Sequence, residues 1–183
     1  VWVLYGHRRS KRLLALLLVS LIVFQALLFF RKNTDKEAHR FWVYYQYKAR
    51  VMGIQQSGKL QIFTDSVISP PAWLTNFIME ERLQRVEHAP LQKFFEIDGK
   101  IFMLLDHPFT EEITTSPYGL IISQNPQVNP RRVLNTIQPK VIIVDGSNYK
   151  SVSDDWQKEA EKQSIPFHPV YQNGFYCWPP LDN

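Results

Sequence analysis

The feature that most constrains this chain is an apolar run of 18 residues, LLALLLVSLIVFQALLFF, which extends from Leu13 to Phe30. It contains no charged residue, and at ~1.5 Å per helical residue it spans roughly 27 Å of a hydrocarbon core about 30 Å thick. The run therefore predicts one transmembrane helix over residues 13–30. A buried core helix would be shorter and less uniformly apolar, and no small-residue cleavage site of a signal peptide follows Phe30.

Basic residues lie on both sides of this run. Residues 1–40 hold 8 of the 21 Lys and Arg but only two acidic residues, which leaves 13 basic and 15 acidic residues, a balance of −2, for residues 41–183. The overall basicity therefore belongs to the membrane flanks and does not indicate a nucleic-acid-binding surface. Basic residues are denser in residues 8–12 than in residues 31–40, which favours a cytoplasmic N-terminus and an extracytoplasmic domain.

We divide the chain into a basic juxtamembrane segment (1–12), the transmembrane helix (13–30), a basic linker (31–40) and one domain (41–183). In this domain the β-forming segments Phe41–Ile54 and Lys59–Ser66 predict a hairpin, and a helix follows over 73–83. The stretch KFFEIDGKIFMLLD predicts a second hairpin, because Asp98-Gly99 suits the positive φ angles of a type I′ turn.

From Tyr118 onward, short apolar runs alternate with helical patterns. Runs as uniformly apolar as Leu120–Ile122 and Val141–Val144 are typical of strands covered on both faces, so helices must lie over the sheet. Ser151–Asp155 is expected to begin one of these helices, with Ser or Asp as the capping residue. The order strand, helix, strand, helix, strand predicts an α/β fold, a mixed-sheet α/β sandwich.

Polar residues follow the strand Val141–Val144 directly, as Asp145, Gly146, Ser147 and Asn148. Gly, Asp and Asn tolerate the backbone angles of a turn, and Ser or Asn can satisfy unpaired N–H groups, so a structural turn is the first interpretation. A triad of Asp145, Ser147 and His168 is an alternative, although nothing in the sequence orients a base on Ser147.

The histidines and the cysteine give no metal motif. No two of the five histidines have the spacing at which one short segment grips a metal, and the single cysteine, Cys177, excludes a multi-cysteine zinc site and an intrachain disulfide. Asp106-His107 is interpreted as the end of a hairpin strand. His168, between Phe167 and Pro169, is either a functional residue or a structural histidine.

Several motifs together resemble the C-terminal region of the ComEC family of competence proteins, in the version typical of Bacteroidetes. They are the apolar run, the Asp98-Gly99 hairpin, and the stretches IISQNP (121–126), VIIVDGSN (141–148) and IPFH (165–168). The resemblance implies an inner-membrane channel that takes up single-stranded DNA, and here its last transmembrane helix followed by a metallo-β-lactamase-like domain.

The resemblance also implies that this domain has lost its metal. Catalytic members of the metallo-β-lactamase group carry a His-x-His-x-Asp-His run after the strand that corresponds to Gly119–Ile122. The ligand positions of that run fall on Gln124, Pro126, Val128 and Asn129, of which Pro and Val have no donor side chain and the amides are weak ligands. We therefore expect a truncated, degenerate fold without metal, cofactor or catalytic residues.

On this interpretation four residues mark the edge of the degenerate site: Asp145, Ser147, Asn148 and His168. The expected function is the non-catalytic, periplasmic C-terminal part of a DNA-uptake channel. Its expected partners are the lipid membrane, the remainder of the channel polypeptide and, as a candidate, single-stranded DNA. Two alternatives remain open: a metal-dependent nuclease whose ligands come from Asp106, His107, Asp145 and His168, and a single-span anchored binding module unrelated to DNA.

Overall fold

The computed structural model describes residues 13–28, 39–65, 79, 85–108 and 116–180, and it divides into the units Val1–Ala38 and His39–Asn183. In the first unit, residues 13–28 form helix α1, whose side chains are exposed. Within the described residues, no helix is both long and apolar enough to cross a membrane. The end of the predicted span and residues 1–12 lie outside the described residues, so the membrane helix over 13–30 stays a prediction.

The second unit contains two five-stranded sheets. Sheet A consists of β1 (Arg40–Val43), β2 (Val51–Gln56), β3 (Lys59–Thr64), β4 (Arg85–Pro90) and β10 (Tyr176–Trp178), in the spatial order β10-β1-β2-β3-β4. Its neighbouring strands are antiparallel except for the parallel pair β3–β4. The predicted first hairpin is confirmed as β2–β3, but Phe41–Ile54 forms two strands instead of one because the chain turns at Tyr47-Lys48.

Sheet B carries the parallel strands. It consists of β5 (Phe94–Ile97), β6 (Lys100–Leu105), β7 (Gly119–Ile122), β8 (Val141–Val144) and β9 (Phe167–Pro169), in that spatial order. Strands β6 to β9 are parallel, and β5 pairs with β6 in the predicted second hairpin. Asp98 and Gly99 have φ angles of 46° and 71°, as the type I′ prediction requires.

Apolar side chains cover both faces of sheet B. One core cluster lies between the two sheets and includes Phe41 and Phe63 of sheet A and Phe102 and Ile143 of sheet B. A second cluster joins the other face of sheet B to helices α2 (Pro130–Ile137) and α3 (Lys150–Lys162), with Trp156 fully buried. A short helix, α4 (Val170–Asn173), follows β9. The prediction of a mixed-sheet α/β fold is confirmed.

Two predicted helices have different outcomes. Most of the predicted helix over 73–83 lies outside the described residues, although Met79, which is described, is helical. The prediction that Ser or Asp caps α3 is wrong. The helix begins at Lys150, its N-cap residue is Tyr149, no side chain caps it, and its first turn contains no acidic residue.

Candidate functional site

The candidate site lies at the carboxyl edge of sheet B. The last residues of β6, β7 and β8 are in register, with Leu105 opposite Ile122 and Ile122 opposite Val144. Because parallel strands end at the same edge, the residues that follow them lie side by side, and this edge is where open α/β sheets bind ligands. Two loops define the site: the first loop, residues 123–129, and the second loop, residues 145–149.

Asp145 is the centre of the second loop. It is only 1% exposed, and four hydrogen bonds reach its carboxylate. Ser123 Oγ donates to Oδ2 at 2.6 Å, and Oδ1 accepts from Ser147 N at 2.9 Å, Ser147 Oγ at 2.5 Å and Asn148 Nδ2 at 2.9 Å. Both oxygens are therefore occupied by groups of the two loops.

Burial changes the acidity of Asp145. Desolvation raises the pKa of this carboxyl from 3.8 to about 6, while the hydrogen bonds from Ser123 and Ser147 and the nearby Arg50 guanidinium act in the opposite direction. Hydrogen bonds to the ionised form do not fully offset the loss of hydration. The carboxylate therefore remains mostly ionised at neutral pH, as an acceptor for the surrounding donors.

Among the described residues, no histidine is hydrogen-bonded to the two hydroxyls beside Asp145. Each hydroxyl carries one proton, and the bonds from Ser123 Oγ and Ser147 Oγ to the carboxylate use both protons. Ser147 Oγ also accepts a hydrogen bond from Gln124 N at 2.7 Å. Ser147 is thus bonded into the loops, which is a poor arrangement for a nucleophile that must lose its proton to a histidine.

His168 contacts other residues than these hydroxyls. It lies on the edge strand β9, where it pairs with Ile143 of β8, its Nε2 lies 3.1 Å from Gly174 O, and its ring packs edge-on against Tyr176 with centroids 5.3 Å apart. The structure therefore brings Asp145, Ser147 and Asn148 together and gives His168 other partners. These contacts lend the alternative triad no support.

Asn148 joins the two loops. Its Nδ2 donates to Ile122 O at 2.8 Å, and its Oδ1 accepts from Asn125 N at 2.9 Å. In return, Asn125 Oδ1 accepts from Tyr149 N at 2.6 Å. Gln124 and Asn125 have φ angles of 54° and 55°, in the left-handed region, so this exchange holds the first loop in a conformation that most residues avoid.

The four positions that the resemblance assigns to lost metal ligands all have structural roles. Gln124 Nε2 donates to Asp65 Oδ2 at 3.3 Å, Pro126 is buried, and Val128 packs against the core between sheet B and its helices. Asn129 caps α2, with Oδ1 accepting from Arg132 N at 3.1 Å.

Arg50 is a residue of this edge that the sequence analysis missed. Its Nε lies 3.0 Å from Asp65 Oδ2 and its Nη1 lies 2.5 Å from Asp106 Oδ2, with 13% of the side chain exposed. One guanidinium therefore bridges two carboxylates, one that follows β3 of sheet A and one that follows β6 of sheet B. Sequence patterns gave no signal for it, because these partners are 15 and 56 residues away along the chain.

The proposed alternative metal ligands do not form one site. Asp106 Oδ1 contacts His107 Nδ1 at 2.6 Å, but Asp145 is bonded to Ser123, Ser147 and Asn148. Over the described ranges, no group of three or more His, Cys, Asp or Glu side chains could hold a metal ion. A cavity of about 400 Å³ lies beside Arg50, lined by residues 91–93 and 103–108, and does not include the second loop.

A known protein family matches most of the chain. Residues 41–179 match the family model described as the ComEC C-terminal domain. No curated protein and no solved structure matches the chain.

Proposed function

We propose that this protein takes part in DNA uptake. The proposal starts from its family: the chain belongs to the ComEC C-terminal domain family, whose model matches residues 41–179. Membership of this family supports involvement in competence. Within that process we assign the chain to the C-terminal part of an inner-membrane channel for single-stranded DNA, of the type found in Bacteroidetes. Its domain is a non-catalytic, degenerate relative of the metallo-β-lactamase fold.

The observation that carries the non-catalytic role is the closed network around Asp145. The hydroxyls of Ser123 and Ser147, the carboxylate of Asp145 and the amide of Asn148 are all bonded to neighbouring groups of the same two loops. Gln124, Pro126, Val128 and Asn129 support the same conclusion, because a site for hydrolysis would need strong metal ligands where these residues shape the loop.

The membrane part of the proposal rests on the apolar run. Its 18 uncharged residues have the length and composition of a transmembrane helix, and the denser basic cluster at residues 8–12 favours a cytoplasmic N-terminus. The domain over 41–183 would then face the periplasm and contact the remainder of the channel. A phosphatase reporter fused after residue 183 is expected to be active, and an inactive reporter on an expressed, membrane-bound fusion would reverse the orientation.

A metal and nuclease assay tests the non-catalytic role. The 183-residue chain is purified in detergent, its metal content is measured after incubation with Zn²⁺ or Mn²⁺, and labelled single- and double-stranded DNA are incubated with it. We expect no stoichiometric metal and no cleavage. Asp106→Asn and Asp145→Asn are the matched controls: cleavage that disappears in either variant would overturn the proposal, whereas cleavage retained in both identifies a contaminant.

A transformation assay tests the broader role. Deletion of the codons for residues 41–179 from the chromosomal gene is expected to lower the import of labelled DNA. Unchanged import by cells that contain the shortened protein would favour an anchored module unrelated to DNA.

A further inference from the structure

Exposed tyrosines and lysines lie at the second loop, some in the β1–β2 connection of sheet A and some at the start of α3. The β1–β2 connection contacts this loop directly, since Lys48 N donates to Gly146 O at 3.2 Å. The ring of Tyr45 lies against Gly146, with Cδ2 only 3.0 Å from the position that a Cβ atom there would occupy. We define the edge patch as Tyr45, Tyr47, Lys48, Tyr149 and Lys150.

The aromatic rings of the edge patch are unusually open for their size. Tyr47 and Tyr149 are each 67% exposed, and Tyr45 is 46% exposed. Their backbone is nevertheless well held, because Tyr149 N donates to Asn125 Oδ1 and the β1–β2 connection is bonded to Gly146. Flat rings on a rigid base provide surfaces on which another planar group can stack with little loss of conformational entropy.

The charge of the edge patch is positive. Lys48 Nζ lies 5.1 Å from the centroid of the Tyr47 ring, and Lys150 is exposed in the first turn of α3. Among the described residues neither lysine forms an ion pair. Three carboxylates of this edge are engaged elsewhere, since Asp65 and Asp106 bind Arg50 and Asp145 is buried.

The adjacent helix starts add to this positive potential. The first turns of α2 and α3 carry no acidic residue, although acids are favoured there by the helix dipole. Exposed Arg131 and Arg132 occupy the first turn of α2 instead, at the same edge of sheet B. This arrangement leaves an excess of positive charge beside the tyrosines that an anionic partner could neutralise.

We propose that the edge patch binds single-stranded DNA, with bases stacked on Tyr47 and Tyr149 and phosphates beside Lys48 and Lys150. This inference rests on the proposed role in DNA uptake. Stacking favours a single strand, because the base faces of a duplex are already covered by their neighbours. The balance of −2 over residues 41–183 indicates that charge alone would bind weakly, so the exposed rings must supply a large part of the affinity.

Fluorescence anisotropy with a labelled oligothymidylate tests the proposal. The full 183-residue chain in detergent is titrated at several salt concentrations with EDTA present, so that binding is measured without cleavage. The double variant Tyr47→Ala/Tyr149→Ala is expected to bind at least ~10-fold more weakly, and Tyr47→Phe/Tyr149→Phe is expected to retain binding because phenylalanine keeps the stacking surface.

Matched controls come from similar groups elsewhere on sheet B. Phe94 is 47% exposed on β5, and Lys100 Nζ lies 5.0 Å from the ring centroid of Tyr118 at the opposite, amino edge. Phe94→Ala and Lys100→Gln are expected to leave the affinity unchanged. Lys48→Gln and Lys150→Gln should each reduce the slope of log K against log salt by about 1.

The outcomes separate this inference from the proposed function. Absence of binding at low salt, equal binding by the double alanine variant, or equal weakening by Phe94→Ala would each overturn the edge patch as a DNA site. Loss of DNA import in cells carrying the double variant, without DNA binding by the unaltered chain, would identify a protein-contact surface and also overturn it. Metal-dependent cleavage would refute the non-catalytic role but would not contradict DNA binding by the edge patch.

Discussion

The two loops at the carboxyl edge of sheet B are neighbours but are stabilised in different ways. The second loop, residues 145–149, is organised by its own side chains around the buried carboxylate of Asp145. The first loop, residues 123–129, has no such centre: the backbone N–H groups of its left-handed residues Gln124 and Asn125 donate hydrogen bonds to Ser147 Oγ and Asn148 Oδ1 of the other loop. The second loop therefore acts as the anchor, and the first loop depends on it.

Removal of the Asp145 carboxylate, the centre of the anchor, should cause the largest loss of stability. Asp145→Ala takes away the acceptor of four hydrogen bonds, so that the buried Ser123 and the half-buried Ser147 and Asn148 each lose a partner. We expect a loss of about 4 kcal/mol in the free energy of unfolding, measured by urea denaturation with tryptophan fluorescence. A loss below about 1 kcal/mol would mean that the anchor does not organise this edge.

Disruption of the contact between the anchor and the β1–β2 connection should cause the second-largest loss of stability. In Gly146→Ala the new Cβ would lie 2.5 Å from the backbone oxygen of Gln46, which cannot move aside as a side chain could. We expect a loss of about 3 kcal/mol. Gly58→Ala is the control, because its Cβ would meet nothing within 4 Å and only its φ of +74° opposes the change. Equal losses in the two variants would contradict close packing at Gly146.

The bonds between the loops give a direct test of which loop depends on the other. Asn148→Ala removes the bonds to Ile122 O, Asp145 Oδ1 and Asn125 N, and should cost about 2 kcal/mol. Asn125→Gly removes one acceptor but relieves the left-handed backbone, so its cost should be about 1 kcal/mol or less. The reverse order of these two losses would make the first loop the anchor.

Local patterns predicted much of the fold but only half of the site. The Asp98-Gly99 turn and the strand Val141–Val144 were predictable because the signal lies within a few consecutive residues. Asp145, Ser147 and Asn148 were predicted as a polar turn for the same reason. Ser123 and Arg50 could not be found in this way, since their partners come from other strands and depend on the packing of both sheets.

Two predictions show what a local pattern leaves out. The α3 start was expected to have a Ser or Asp cap, but the helix begins at Lys150 after Tyr149, whose N–H donates to Asn125 of the neighbouring loop, a tertiary contact with no local pattern. The triad was considered because the strands of a sheet can bring distant residues together. The position of His168 along β9 is set by the pairing with Ile143, and a single sequence does not reveal this register.

The last prediction is a pH dependence of stability that belongs to the anchor alone, because residues 123–129 include no ionisable side chain. Burial raises the pKa of Asp145 from 3.8 to about 6, so between these values the folded chain holds a proton that the unfolded chain has released. The free energy of unfolding should therefore rise as the pH falls from 6 toward 4, by on the order of 1 kcal/mol per pH unit at most, and this contribution is lost above pH 6.

Asp145→Asn isolates that contribution from the other titrating groups. The stability of the unaltered chain minus that of the variant is measured by urea denaturation at several pH values between 4 and 7, and the difference should grow as the pH falls through 6. The protonated carboxyl can then donate to Ser123 Oγ or Ser147 Oγ, since each hydroxyl can also accept. A constant difference across this range would mean that the carboxylate is stabilised as fully in the anchor as in water.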